Sequence, residues 1–123
     1  MLDGTKKILI VEDDEKTLQL YKDLFAFKKE TKMANFLYAR NVKECLELLE
    51  KEKPTLMLLD LGLEDKVPPP GFKILQDYKN KLKIIVISGY HENKQQSLDD
   101  GAVAFLGKPV QIKDLVRLMI EYA

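Results

Sequence analysis

Four short apolar runs are the feature that most constrains the fold of this chain. They are nearly continuous and lack strict polar alternation, so they are typical of strands covered on both faces of a parallel sheet. A weaker run, FLYA at 36–39, predicts a fifth strand at an edge of that sheet. The four strong runs are KKILIV (6–11), TLMLL (55–59), KIIVIS (83–88) and VAFLG (103–107).

Segments with the spacing of amphipathic helices separate these runs. In the clearest of them, apolar residues recur at i, i+3, i+4 and i+7. Asn41 and Glu44 at its start resemble a capping box in which the asparagine caps the helix. Cys45 is therefore predicted to point into the core as a small apolar residue. The apolar residues of this helix are Val42, Cys45, Leu46 and Leu49.

Similar periods predict three further helices, around 18–28, 72–82 and 115–122. The segment HENKQQSLDDG at 91–101 lies where another helix is needed, but Leu98 is its only large apolar residue. Packing can hold such a helix only weakly. We therefore expect it to be short, mobile or dependent on a partner.

The alternation of strands and helices predicts an α/β fold. We expect a doubly wound parallel sheet of five strands, with about five helices on its two faces. A length of 123 residues suits one such domain, and we assign residues 1–123 to it. Right-handed crossovers place the carboxyl ends of all strands at one edge of the sheet, where open α/β sheets bind ligands.

Polar side chains stand at the carboxyl ends of four of these strands. Acids at 12–14 follow the first strand, Asp60 ends the third, Ser88 ends the fourth, and Lys108 follows the fifth. Grouped carboxylates without a nearby His or Cys favour a hard cation such as Mg²⁺. A lysine and a hydroxyl beside them suit phosphoryl oxygens. One aspartate is then available as a nucleophile toward phosphorus.

The motifs ILIVEDDE, LMLLD, IIVISG and AFLGKP carry these residues. In that order and at that spacing, they resemble the receiver domain of two-component response regulators, from about Lys7 to the last helix. Each motif alone is weak, but four in order at matching strand ends form a specific signal. The resemblance implies a flavodoxin-like fold with the strand order 2-1-3-4-5.

The resemblance also implies roles for the acids. Asp60 would accept a phosphoryl group from a phosphohistidine on a sensor histidine kinase or phosphotransfer protein. Asp13 would bind Mg²⁺ directly and Glu12 through water, while Asp60 and the main-chain carbonyl of Gly62 would complete the protein ligands. Phosphorylation and dephosphorylation of itself would be its only chemistry, so we expect a signalling domain and not a turnover enzyme.

Three other residues would respond to the phosphoryl group. Lys108 would contact it, Ser88 would swing toward it, and Phe105 would turn inward as the hydroxyl moves, although Phe105 suits a core aromatic equally well. The event would bias a two-state surface built from the fourth helix, the fifth strand and the last helix. That surface is the expected contact with an output domain or with a second copy in a homodimer.

The segment after Asp60 departs from the family pattern. Most receivers have a proline where Glu64 stands, and the glycine that opens the third helix is here Gly71, so about three residues are inserted. The prolines at 68–70 stiffen the insertion. Glu64 and Asp65 add negative charge close to Gly62, whose carbonyl is the expected metal ligand in this segment. The segment 64–70 is expected either to tune metal affinity or to contact a partner.

Two positions influence how fast water removes the phosphoryl group in this family, and here they hold Gly62 and Tyr90. We expect the ring of Tyr90 to shield the acyl phosphate and to slow its loss. A small polar side chain at that position would lack this shielding.

Other functions are open as alternatives. A pseudo-receiver would be an interaction module that signals without phosphorylation, although the acceptor, metal, hydroxyl and lysine positions are all retained here. A metal-dependent phosphatase or nuclease would need a second aspartate two residues past Asp60, where Gly62 stands. A nucleotide-binding protein would need a glycine-rich phosphate motif after the first strand, and none is present. Asp13 and Asp14 could also simply cap the next helix.

Bulk properties limit the partners and the location. The chain has 20 Lys and Arg against 20 Asp and Glu, so no net charge favours nucleic acid or a membrane surface. Cys45 is the single cysteine and cannot form an internal disulfide. No apolar run is long enough for a bilayer span or a signal peptide. We therefore expect a cytoplasmic protein.

Overall fold

The computed structural model describes all 123 residues and confirms the predicted α/β fold. Its five strands are parallel and form one sheet. They are β1 (Lys7–Val11), β2 (Asn35–Ala39), β3 (Leu56–Asp60), β4 (Lys83–Ser88) and β5 (Ala104–Gly107). The strand order β2-β1-β3-β4-β5 places β2 at an edge, as its weaker apolar run predicts.

Four helices connect the strands, and a fifth follows the last strand. They are α1 (Glu15–Phe27), α2 (Val42–Glu52), α3 (Pro70–Tyr78), α4 (Asn93–Asp99) and α5 (Ile112–Tyr122). A single 3₁₀ turn, Leu63–Asp65, lies in the loop between β3 and α3. None of the helices has the length and apolar character that crossing a bilayer requires.

The sheet separates two apolar cores, one on each face. Helices α1 and α5 pack over one face, and α2 and α3 pack over the other. Successive residues of β1 enter opposite cores, since Ile8 and Ile10 face α1 and α5 whereas Leu9 and Val11 face α2 and α3. This coverage of both faces is the reason that the central strands have continuous apolar sequences.

The start of α2 matches its predicted cap with one difference. Asn41 Oδ1 accepts a hydrogen bond of 2.8 Å from the N–H of Glu44. The Glu44 carboxylate accepts from the N–H of Arg40, also at 2.8 Å, and not from that of Asn41 as in a capping box. Cys45 is fully buried as predicted, with its Sγ 3.8 Å from Met57 Sδ.

Helix α4 is short, as its composition predicts, and it offers little apolar surface for packing. It has seven residues, and its large apolar side chain, Leu98, is 37 % exposed. The buried residue of this helix is Ser97, whose hydroxyl donates to the carbonyl of Asn93 at 2.7 Å. Helix α4 therefore adds little apolar surface to either core.

The loop after β3 returns to helical structure at Pro70, the last of its three prolines and the first residue of α3. The next residue, Gly71, lies against the chain directly after Asp60. A Cβ atom on Gly71 would come within 2.7 Å of the Leu61 Cα. Main-chain atoms cannot move aside as a flexible side chain can, so this close approach requires glycine.

We expect Gly71→Ala to lower the free energy of unfolding by about 2 kcal/mol, because the main chain at Leu61 must shift. Urea denaturation followed by circular dichroism measures this change. Gly4→Ala is a matched control, since its added Cβ would lie 3.6 Å from the nearest atom; its stability should change by less than about 0.5 kcal/mol. Equal stability of the two variants would show that the main chain at Leu61 can shift without a measurable cost in free energy.

Candidate functional site

Three carboxylates meet at the carboxyl edge of the sheet. Glu12 and Asp13 follow β1, and Asp60 is the last residue of β3, the neighbour of β1. Each offers one carboxylate oxygen to a cluster whose atoms all lie within 4.8 Å of one another. Glu12 is 3 % exposed and Asp60 5 %, whereas Asp13 is open to solvent.

Lys108 brings a positive charge into this cluster from the end of β5. Its Nζ lies 3.1 Å from Asp60 Oδ2 and 3.5 Å from Glu12 Oε1. Burial lowers the pKa of Lys108, but the charges of Asp60 and Glu12 more than offset that effect and raise the pKa above its ordinary value. Lys108 is therefore fully charged near neutral pH.

Glu12 has a pKa raised to about 7. Burial is the largest cause, and the adjacent Asp60 adds to it, because its carboxylate can accept a hydrogen bond from protonated Glu12 and repels charged Glu12. The N–H of Asp14, which donates to Glu12 Oε2 at 3.1 Å, and the charge of Lys108 partly offset these effects. Negative charge on Glu12 beside Asp60 is therefore costly near neutral pH unless a further cation joins them.

Asp13 and Asp14 have different contacts, which separates the two alternatives that the sequence left open. Asp14 caps α1, with its Oδ2 accepting from the N–H of Thr17 at 2.9 Å. Asp13 does not cap α1; its Oδ2 accepts from the N–H of Glu64 at 2.9 Å. The capping interpretation is therefore confirmed for Asp14 and wrong for Asp13.

Gly62 lies in the loop after β3, two residues beyond Asp60. Its N–H donates to Asp60 Oδ1 at 3.0 Å, while Lys108 contacts the other oxygen of the same carboxylate. Both oxygens of Asp60 are thus oriented by groups from different parts of the chain. The sequence did not indicate this contact, because a main-chain donor carries no side-chain signal.

Ser88 lies at the end of β4 and is only 2 % exposed. Its Oγ accepts hydrogen bonds of 3.1 Å from the N–H of Tyr90 and from Nδ2 of Asn93, the first residue of α4. The side-chain contact links the edge of the sheet directly to α4. Sequence reasoning missed Asn93, and its position in the first turn of a weak helix was the one available signal.

Phe105 lies on β5 and is half-buried. It packs against the core beneath α2 and α3. The core interpretation of this aromatic ring therefore has direct support.

A cavity of about 590 Å³ opens beside the carboxylates. It brings together five of the residues that the sequence indicated. Tyr90, Asn93 and residues of the loop between β3 and α3 (61–69, here called the enlarged loop) also line it. The five are Asp13, Asp60, Gly62, Ser88 and Lys108. A larger cavity of about 880 Å³ lies at the opposite end of the sheet, but its lining contains several lysines and no group of carboxylates, so we place the chemistry in the smaller one.

The strand order and the acids and lysine at its edge define a flavodoxin-like α/β domain of the doubly wound class. The family model for the response regulator receiver domain matches residues 8–120, and the chain belongs to this family. It is a signalling domain of the two-component type. The resemblance drawn from the four motifs is thereby confirmed.

Individual relatives agree with this family. A 14.6 kDa protein of Leptolyngbya boryana is 33 % identical over 122 residues, which cover 94 % of this chain and 88 % of that protein. The transcriptional regulatory protein KdpE of Staphylococcus aureus is 32 % identical over 113 residues, covering 89 % of this chain but 46 % of KdpE. A CheY-like receiver domain protein from Methanospirillum hungatei JF-1 has a crystal structure that is 33 % identical, with a TM-score of 0.79 over 94 % of this chain and 91 % of that one.

The acid cluster is compatible with Mg²⁺, which receiver domains generally bind. All the side-chain donors are carboxylate oxygens, the ligands that this hard cation prefers. The repulsion between Glu12 and Asp60 supplies a physical reason for a cation at this place, because a divalent ion would offset it.

The raised pKa of Glu12 predicts how stability depends on pH. Protonated Glu12 is favoured in the folded state, so its contribution is fully present below pH 4.5 and is lost as the pH rises through about 7. Without Mg²⁺, we expect Glu12→Gln to be more stable than wild type by about 1 to 2 kcal/mol at pH 8 and equal to it near pH 4.5. Urea denaturation in EDTA at the two pH values measures the difference.

Saturating Mg²⁺ is the control for this prediction. The cation should stabilise the wild type more than Glu12→Gln, so the difference at pH 8 should shrink. A gain in stability that is the same at both pH values would mean that packing, and not charge, distinguishes the variant from the wild type.

Proposed function

We propose that this domain accepts a phosphoryl group on Asp60 from a phosphohistidine of a sensor kinase or phosphotransfer protein, in a reaction that depends on Mg²⁺. The observation that carries the proposal is the setting of the Asp60 carboxylate. Lys108 and the N–H of Gly62 hold its two oxygens. Two further carboxylates lie within reach of one cation, and a cavity leads to the site.

In the proposed step, a carboxylate oxygen of Asp60 forms a bond to phosphorus while the bond between phosphorus and the imidazole nitrogen of the donor breaks. The donor imidazole, protonated on its other ring nitrogen, leaves as neutral imidazole with the electron pair of the broken bond, and an acyl phosphate remains on Asp60. Lys108 is placed to move from the carboxylate to an incoming phosphoryl oxygen and to neutralise its charge. Asp60 is nearly buried, which limits access by water.

Mg²⁺, when bound, would neutralise the charge of the phosphoryl oxygens and orient the group toward Asp60. Asp13 and Asp60 would hold it directly, Glu12 through water, and the main-chain carbonyl of Gly62 would complete the protein ligands. The short distances among the three carboxylates support this set.

The proposed output is a change at the surface formed by α4, β5 and α5. Ser88 now bonds to Tyr90 and Asn93 at the start of α4. Its movement toward a phosphoryl group would break the bond to Asn93, and Phe105 would turn inward on β5. The altered surface would bind an output domain or a second copy of the chain.

We expect incubation with Mg²⁺ and acetyl phosphate to add one phosphoryl group to the wild type and none to Asp60→Ala, as measured by intact mass. Mg²⁺ replaced by EDTA is the control for metal dependence. An adduct that persists in Asp60→Ala would exclude Asp60 as the acceptor. No adduct on the wild type would favour the pseudo-receiver, an interaction module that signals without phosphate.

The lifetime of the acyl phosphate should depend on Tyr90. Tyr90 lines the site cavity and is 66 % exposed, so its ring can cover a phosphoryl group on Asp60. We expect Tyr90→Ser to lose the phosphoryl group several-fold faster, in a time course of intact mass after the donor is removed. His91→Ser, an exposed neighbour, is the matched control. An unchanged rate in Tyr90→Ser would exclude the shielding role.

A further inference from the structure

The loop after β3 makes two long-range contacts through one residue, Glu64. Its N–H donates to Asp13 Oδ2 at 2.9 Å, across 51 positions of sequence. Its carboxylate Oε2 accepts from the N–H of Val42, the first residue of α2, at 2.8 Å. Glu64 therefore joins the loop after β1, the loop after β3 and the start of α2.

The side-chain contact is favourable on electrostatic grounds. The first N–H groups of a helix lack partners within the helix and carry partial positive charge. Asn41 satisfies the N–H of Glu44, and Glu64 satisfies that of Val42.

The main-chain contact orients a residue that little else restrains. Asp13 is exposed, and the N–H of Glu64 is its hydrogen-bond partner. Repulsion from Glu12 and Asp60 would favour rotation of the Asp13 carboxylate away from them and into solvent. The bond from Glu64 opposes that rotation, and one oxygen of Asp13 remains for a cation.

We propose that Glu64 is a positioning residue for Mg²⁺, in which the side chain anchors the enlarged loop to α2 and the main-chain N–H fixes Asp13 beside the other two carboxylates. The inference rests on the proposed function in one respect: it takes the three carboxylates as the metal site. It also assigns a role to the enlarged loop. The sequence left two roles open for this segment, the tuning of metal affinity and contact with a partner.

The backbone of the loop supports this role. Glu64 has φ of 64° and Asp65 has φ of 50°, a left-handed conformation that side chains adopt at some cost. Two strained residues in succession need contacts that hold them. The bond from Val42 to the Glu64 side chain supplies such a contact, and the resulting turn directs the N–H of Glu64 at Asp13.

Titration calorimetry with MgCl₂ on four proteins tests the proposal. They are the wild type, Glu64→Ala, Glu64→Gln and Asp65→Asn. Glu64→Ala removes the anchor, and we expect its Mg²⁺ dissociation constant to rise about three- to tenfold. Glu64→Gln keeps an oxygen that accepts from Val42, so it should stay within about twofold of the wild type.

Asp65→Asn controls for charge alone, because asparagine tolerates the left-handed conformation of Asp65 as aspartate does. Asp65 also lines the site cavity, but no hydrogen bond restrains its carboxylate. If Glu64 acted only through its negative charge, then Glu64→Gln, Glu64→Ala and Asp65→Asn would all weaken Mg²⁺ binding to a similar extent, which would overturn the proposal. Mg²⁺ binding by Glu64→Ala that equals that of the wild type would also overturn it, as would a wild type that binds no Mg²⁺.

A second measurement reports on the geometry without the metal. Amide hydrogen exchange by NMR in EDTA should show the Glu64 N–H protected in the wild type and in Glu64→Gln, and exchanging faster once alanine removes the anchor. Equal exchange in all three would contradict the anchoring role. Failure of Asp60 to accept a phosphoryl group, with these Mg²⁺ and exchange results intact, would instead reject the proposed function and leave the positioning role standing.

Discussion

Repulsion between two buried carboxylates is the constraint on which the rest of the structure depends. Glu12 and Asp60 meet because β1 and β3 are neighbours in the sheet, and their proximity must be offset by positive charge. Lys108 supplies it from the last strand, and the N–H of Lys108 also bonds to the carbonyl of Ser88 at 2.9 Å. The strand order therefore serves charge pairing as well as packing. It brings the positive charge of Lys108, after the last strand, close to the carboxylates at the ends of the first and third strands.

Much of the fold could be predicted because its strongest signals are local. The strand runs were continuous and apolar, and their double coverage by helices explains that pattern. Cys45 and the weak α4 were also predicted from spacing and composition within a few residues. The acids and Lys108 were found because strand ends in a parallel sheet share one edge, so a residue's place along its strand was enough to group them.

The contacts that were missed depend on the conformation of loops and helix ends, and their partners lie between 4 and 51 positions apart in the sequence. The bond from Glu64 to Asp13 uses a main-chain N–H, and it crosses 51 positions. Asn93 holds Ser88 from the start of a helix whose weak periodicity gave no reason to select it. The cap of α2 differed in the same way, because the N–H of Arg40, and not that of Asn41, received the Glu44 carboxylate. In each case the conformation of a loop or a helix end decides which donor and acceptor meet.

The polar attachment of α4 has a thermodynamic consequence. Asn93 joins this helix to Ser88 at the edge of the sheet, and Leu98 is left partly in solvent. A change in the placement of such a helix exposes or buries little apolar surface, and heat capacity changes follow apolar surface. An equilibrium between two placements of α4 would therefore have a small heat capacity change, and its enthalpy would hardly vary with temperature. The equilibrium constant of a signal carried by this helix would accordingly change by nearly the same factor for each degree over the growth temperatures of a cell.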